Sequence, residues 1–160
     1  MSGVDRFEDL VSWQRMNELS IEVFRMTDHG RASRDFRFRD EIRDAADSAQ
    51  RNVAEGFGRF TPPQFAQFLD ISRASALETK ALLKKGPAAG YWGQDDYERL
   101  DKLATRGVQA VAKLQRYLRS PQAKRNAAQR YRRGNDSNDS NDSNDPNDPN
   151  DPNDPNDPNV

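Results

Sequence analysis

The sequence predicts an all-α protein: an antiparallel, up-and-down four-helix bundle followed by a disordered C-terminal tail. Three observations carry this. Apolar residues return at spacings of three and four in four separate stretches, and no competing alternation of period two occurs. "NVAEGFGRFTPPQF" (52–65) reads as a tight junction between two helices. Beyond residue 134 the chain runs into "NDSNDSNDS" and five copies of "NDP", with no apolar residue before Val160.

The first helix is expected over about 6–27, with Leu10, Trp13, Met16, Leu19 or Ser20, Val23 and Met26 on its inner face. Asp5 and Glu8 have the spacing of a capping box. The second covers about 37–56, with Phe38, Ile42, Ala45, Ala46, Ala49 and Val53 inward. Its alanines allow a neighbouring helix to come close. The third covers about 62–85 and is apolar over more than one stripe, through Phe65, Phe68, Leu69, Ile71, Ala74, Leu77, Leu82 and Leu83. The surplus predicts a second contact, most simply another subunit. The fourth covers about 94–119, with Tyr97, Leu100, Ala104, Gly107, Val111, Leu114 and Leu118 as its inner seam.

The Gly-x-Gly at 56–58, closed by Arg59, raises a phosphate-binding loop as an alternative. The context argues against it: the run follows a helical pattern rather than a strand, and no Lys-Ser or Lys-Thr follows Gly58. Thr61 is instead a good N-cap, Pro62 suits the first helical position, and Gln64 completes a capping box. Phe60 and Phe65 fit a hydrophobic staple. Gly56 and Gly58 are expected to supply the left-handed end of the preceding helix. Asn52, Ala54 and Glu55 then belong to a structural turn.

The total charge of −1 conceals a sorted distribution. Residues 1–101 carry 15 basic and 18 acidic side chains (−3), residues 102–134 carry 10 basic and none acidic (+10), and residues 135–160 carry 8 Asp and no base (−8). On the fourth helix Arg99, Lys102, Arg106, Gln109, Lys113 and Arg116 recur on the outward face. Arg119, Lys124, Arg125, Arg130, Arg132 and Arg133 follow, the last five in a basic extension at 121–134 that reads as a short helix after Pro121. This is the electrostatic footprint of a nucleic-acid-binding surface, with RNA the expected partner. A mixed, solvated face is the plainer alternative, but no acid follows Asp101 on that helix.

The absence of Cys and the single His29 exclude thiol chemistry and His-pair metal sites, so no cofactor or metal is expected and the chain reads as a non-enzyme. No apolar signal core or membrane-length run is seen, so the expected location is cytoplasmic, with no membrane partner. The tail at 135–160 has nothing to offset the entropy of ordering, about 1–2 kcal/mol per residue.

"FEDLVSWQRMNELSIEVF" (7–24), "NVAEGFGR" (52–59), "QFAQFLDISRASALE" (64–78) and "GYWGQDDYERL" (90–100) resemble the four-helix bundle proteins encoded in intervening sequences of bacterial 23S ribosomal RNA genes. The same fold family includes the accessory variability proteins of diversity-generating retroelements. The resemblance implies a homopentamer, and for the retroelement branch it implies nucleic acid and a reverse transcriptase as partners. Two departures stand out. Arg73-Ala74-Ser75-Ala76 replaces the usual Arg-Gly-Ser-Leu, and Pro87 lies where members keep a longer helix.

Overall fold

The computed structural model describes residues 4–59 and 61–136, with side chains through Gln129. Five α-helices follow in order: α1 (Val11–Thr27), α2 (Phe36–Phe57), α3 (Pro62–Ala89), α4 (Gln94–Leu118) and α5 (Pro121–Asp136). Single 3-10 turns precede α1 (Phe7–Asp9) and α2 (Ala32–Arg34), and no strand occurs among the described residues. The chain divides into two units, Met1–Lys124 and Arg125–Val160. The first holds the bundle. In it α1 packs on α2 and α4, and α3 packs on the same two helices, which is the closed ring of an up-and-down bundle.

Burial follows the predicted faces. All six inward residues proposed for α2 are buried, and Gly56 extends the row. On α4, Leu100, Ala104, Gly107, Val111 and Leu118 are buried, whereas Tyr97 and Leu114 are half-buried. Small residues bring the helices together. Ser72 Oγ reaches the Ala49 carbonyl at 2.6 Å across the α2–α3 seam. A Cβ on Gly107 would stand 2.8 Å from Met16 Sδ. Two core clusters result, one around Leu19, Ile42, Leu83 and Leu100, the other around Met16, Val53, Leu69 and Val111.

Two helix boundaries of the bundle and the role of the glycine pair differ from expectation, each for a packing reason. The first helix starts at Val11 and not near residue 6, and its cap Leu10 offers no side-chain hydrogen bond. The Asp5–Glu8 capping box does not form. Phe7 instead turns back onto Trp13, ring centroids 5.2 Å apart, and Leu10 enters the core. Burying two apolar side chains outweighs a cap worth about 1 kcal/mol.

The glycine pair also takes another role. Gly58 ends α2 in right-handed conformation (φ −73°), while the left-handed glycines are Gly30 and Gly90. Gly56 lies inside α2, where a Cβ would sit 2.5 Å from the Phe65 ring and 2.8 Å from Phe68 Cβ. It is therefore a close-approach residue between α2 and α3 rather than a terminator. A helix enters the pair and a helix leaves it, so the junction is a helical hairpin. Thr61 caps α3 as predicted, its hydroxyl accepting from the Gln64 amide at 3.4 Å. Gln64 reaches back to the Thr61 hydroxyl (3.1 Å) rather than to the backbone. Phe60, the other half of the expected staple, lies outside the described residues; Phe65 packs on Phe57.

The third helix runs on to Ala89, straight through Pro87. Proline has no N–H to give the carbonyl four residues back, which here belongs to Leu83. The Trp92 indole N–H donates to that carbonyl at 3.3 Å. Trp92 can reach it because Gly86 has no Cβ; one placed there would overlap the indole at 1.9 Å. Gly90, at φ 69°, then closes the helix, and the Tyr91 amide donates to the Gly86 carbonyl at 3.0 Å.

α5 begins at Pro121, with the Ser120 hydroxyl accepting from the Ala123 amide at 3.3 Å. It continues through Asp136, two residues past the boundary expected at 134. Residues 137–160, most of the predicted tail, lie outside the described residues.

Candidate nucleic-acid interface

The predicted outward row on α4 is exposed at every position: Arg99, Lys102, Arg106, Gln109, Lys113 and Arg116. At 1.5 Å per residue it extends about 26 Å along the helix. Its members differ in their surroundings. Arg99 donates to Glu22 at 2.6 Å and lies 3.5 Å from Asp96. The hydrogen bond it donates to Glu22 raises its pKa further above an already high value, and this guanidinium bridges the α1–α4 seam. Arg119 is similarly held, 2.9 Å from Asp70. Asp70 Oδ1 also accepts from the buried Gln115 amide at 2.6 Å.

Lys102, Arg106, Lys113 and Arg116 make no ion pair among the described residues. The last acid of α4, Asp101, pairs with Lys80 of α3 at 3.3 Å and does not neutralise the row. By contrast, α1 pairs both its arginines, Arg15 and Arg25, and α2 pairs Arg39, Arg43 and Arg51 with carboxylates, leaving Arg37 unpaired among the described residues, while on α3 only Lys80 is paired. The four unpaired cations are therefore a local excess of positive charge. Lys124 is exposed and Arg125 is already engaged. Arg130, Arg132 and Arg133 fall within α5, beyond the described side chains.

The turn motif is structural in its contacts. Asn52 donates to the Ser48 carbonyl (2.8 Å) and lies 3.2 Å from the Ser48 hydroxyl, which itself lies 2.9 Å from the Ser75 hydroxyl on α3. Asn52 thus ties the α2–α3 seam one turn before the hairpin and does not cap the turn. Glu55 does reach across the helix end, to Arg59 at 2.5 Å, and the Arg59 guanidinium lies 4.2 Å from the centroid of the Phe68 ring. The Ala54 carbonyl accepts from the Gly58 amide at 3.3 Å.

The surplus apolar stripe of α3 is likewise outward. Ile71, Ala74, Leu77 and Ala81 are exposed, with Ile71 and Leu77 each near half their full surface (48% and 47%). Sequence reasoning missed Gln115, buried at 4% in the α4 seam. A polar residue one position past Leu114 gave no signal of burial; only the facing Ala66 carbonyl (3.2 Å) and Asp70 make it tolerable. Among the described residues no group of three His, Asp or Glu is placed to hold a metal ion, and no helix is long and apolar enough to cross a membrane.

Fold and surface together define a small antiparallel four-helix bundle with an uncompensated cationic helix face. The family model of the 23S rRNA-intervening sequence proteins matches residues 8–113, which is most of the bundle, and the chain belongs to that family. The fold is similar to that of a protein of unknown function from the S23 ribosomal protein family of Bacteroides thetaiotaomicron (TM-score 0.60, 16% identity, covering 69% of this chain and 100% of that one). No curated protein matches.

Proposed function

We propose that this protein is a non-enzymatic, homo-oligomeric bundle that binds RNA through the exposed cations of α4. The observation that carries the proposal is the set of four exposed cations, Lys102, Arg106, Lys113 and Arg116, on one face of α4 without acidic partners among the described residues, whereas both arginines of the adjoining α1 are paired. Such a row neutralises phosphates and releases counterions, which gives affinity with steep salt dependence and little base readout. Self-association is supported by the α3 stripe, an exposed apolar surface on a helix whose other face already fills the core. Assembly would repeat the cationic row around the oligomer and raise affinity through multivalency. The pentameric count and the reverse-transcriptase partner rest on family resemblance alone.

Sizing of the purified protein, with and without a generic RNA across a salt series, tests both halves. The expected result is an oligomer at all salt concentrations and an RNA complex that dissociates as salt rises. A monomer would remove the assembly, and RNA-independent elution at low salt would remove the nucleic-acid reading.

A further inference from the structure

A second cationic feature lies in the corner between α1 and α2. "GRASRDFRFRD" (30–40) places four arginines within nine residues. Phe36, at the first position of α2, is 65% exposed, the most exposed large apolar side chain among the described residues. At that exposure, core formation does not account for the ring.

The corner is rigidly built. Ala32 is fully buried. The Ser33 hydroxyl donates to the Gly30 carbonyl at 2.9 Å. Arg43 Nε donates to the Thr27 hydroxyl at 2.7 Å. Asp35 Oδ1 accepts from the Phe38 amide at 3.1 Å, and its other oxygen accepts from the Tyr91 hydroxyl. Arg39 lies 4.9 Å from the Phe36 ring centroid and is itself held by Asp40 at 2.8 Å.

The carboxylates of the corner are thereby occupied: Asp28 by Arg43 (3.5 Å), Asp35 by its two donors, Asp40 by Arg39. Arg31, Arg34 and Arg37 are exposed and make no ion pair among the described residues. Glu41, one turn beyond Arg37, bounds the group on that side.

We propose that Arg31, Arg34, Phe36 and Arg37 form a contact site for single-stranded RNA, an unpaired base stacking on Phe36 while the arginines take the flanking phosphates. An exposed ring among cations is the arrangement that holds a splayed base, because every base has a π-face and each nucleotide brings a phosphate. The hydrogen-bonded corner fixes the backbone that carries these residues, so binding has to order their side chains but not the loop. The site rests on the RNA reading of α4 and refines it. The α4 row is indifferent to pairing, whereas this corner discriminates in favour of unpaired strands.

The test uses the full chain and two fluorescein-labelled probes with equal numbers of phosphates, an oligoadenylate strand and a blunt-ended two-strand RNA duplex, read by anisotropy. Phe36→Leu keeps apolar surface but cannot stack. It is expected to weaken single-strand binding by about 5- to 100-fold, to leave duplex binding and the salt slope unchanged, and to be rescued by Phe36→Tyr. Replacing Arg31, Arg34 and Arg37 with Gln is expected to lower the single-strand salt slope by about 2, at roughly 0.7 per phosphate contact. Wild-type single-strand affinity in Phe36→Leu, as an apolar protein-docking patch would give, overturns the site. So does an equal loss on both probes. If the site alone is wrong, exchanging the α4 cations for Gln still abolishes binding while Phe36→Leu is silent. If the wild type binds neither probe at low salt, the RNA reading and the site fall together.

Discussion

Pro87 should be energetically coupled to Trp92, although the two are five residues apart and only one of them faces the core. The indole N–H donates to the Leu83 carbonyl, whose ordinary helical donor Pro87 lacks. Trp92→Phe retains an aromatic ring against Phe38 but leaves that buried carbonyl without a donor. An orphaned buried acceptor costs about 1–3 kcal/mol, a change of roughly 3–5 °C in Tm per kcal/mol for a bundle of this size. Pro87→Ala restores the helical amide, so the same Trp92→Phe change should then cost less by at least about 1 kcal/mol. The sign of Pro87→Ala alone is immaterial, because relief of the proline clash and greater freedom of the unfolded chain oppose one another. Urea denaturation of the four proteins in the cycle measures the coupling. A coupling below about 0.5 kcal/mol, the ordinary limit of additivity, would refute the account of how α3 passes through a proline.

Three further outcomes follow from the packing and the charges. Gly56→Ala should destabilise by about 1–3 kcal/mol through overlap with Phe65 and Phe68, whereas Gly58→Ala, where a Cβ meets only the Glu55 carbonyl at 3.5 Å, should be nearly neutral; thermal melts compare the two. Asp35 is held below its ordinary 3.8, first by the Tyr91 hydroxyl and then by the Phe38 amide. A depressed carboxyl stabilises the fold above its unfolded value, and that contribution disappears as pH falls through the folded value. The stability gap between wild type and Tyr91→Phe should therefore be present at neutral pH and close below pH 3.8, as followed by melts across an acid series. Changing Lys102, Arg106, Lys113 and Arg116 together to Gln should leave the melting temperature nearly unchanged and lower the RNA salt slope by about 3, at 0.7–0.9 per contact; an unaltered slope would show that the row meets no phosphate.

Much of the bundle was legible because each helix presents a single inward stripe. Ile42, Ala46, Ala49 and Val53 could be placed from spacing alone, and so could the outward Lys102, Arg106, Lys113 and Arg116. Residues whose state depends on a partner helix were not legible. Gly56 resembled a terminator because its neighbour Phe65 comes from the next helix. Asn52 resembled part of the turn because Ser75, which its network reaches through Ser48, lies 23 positions away. Pro87 resembled a helix stop because the donor that rescues Leu83 lies beyond the turn. Arg99 and Arg119 resembled free cations until Glu22 and Asp70 were brought beside them.

The division has one physical origin. Helical periodicity, the Thr61 cap, the missing thiols and the sorting of charge are local or additive properties, and the amino-acid order determines them without any knowledge of neighbours. Which cations stay unneutralised, and which glycine is needed for close approach, depend on distances between segments far apart in the chain. Those distances exist only once the four helices have packed, and they separate the unpaired cations of α4 from the paired ones on either side.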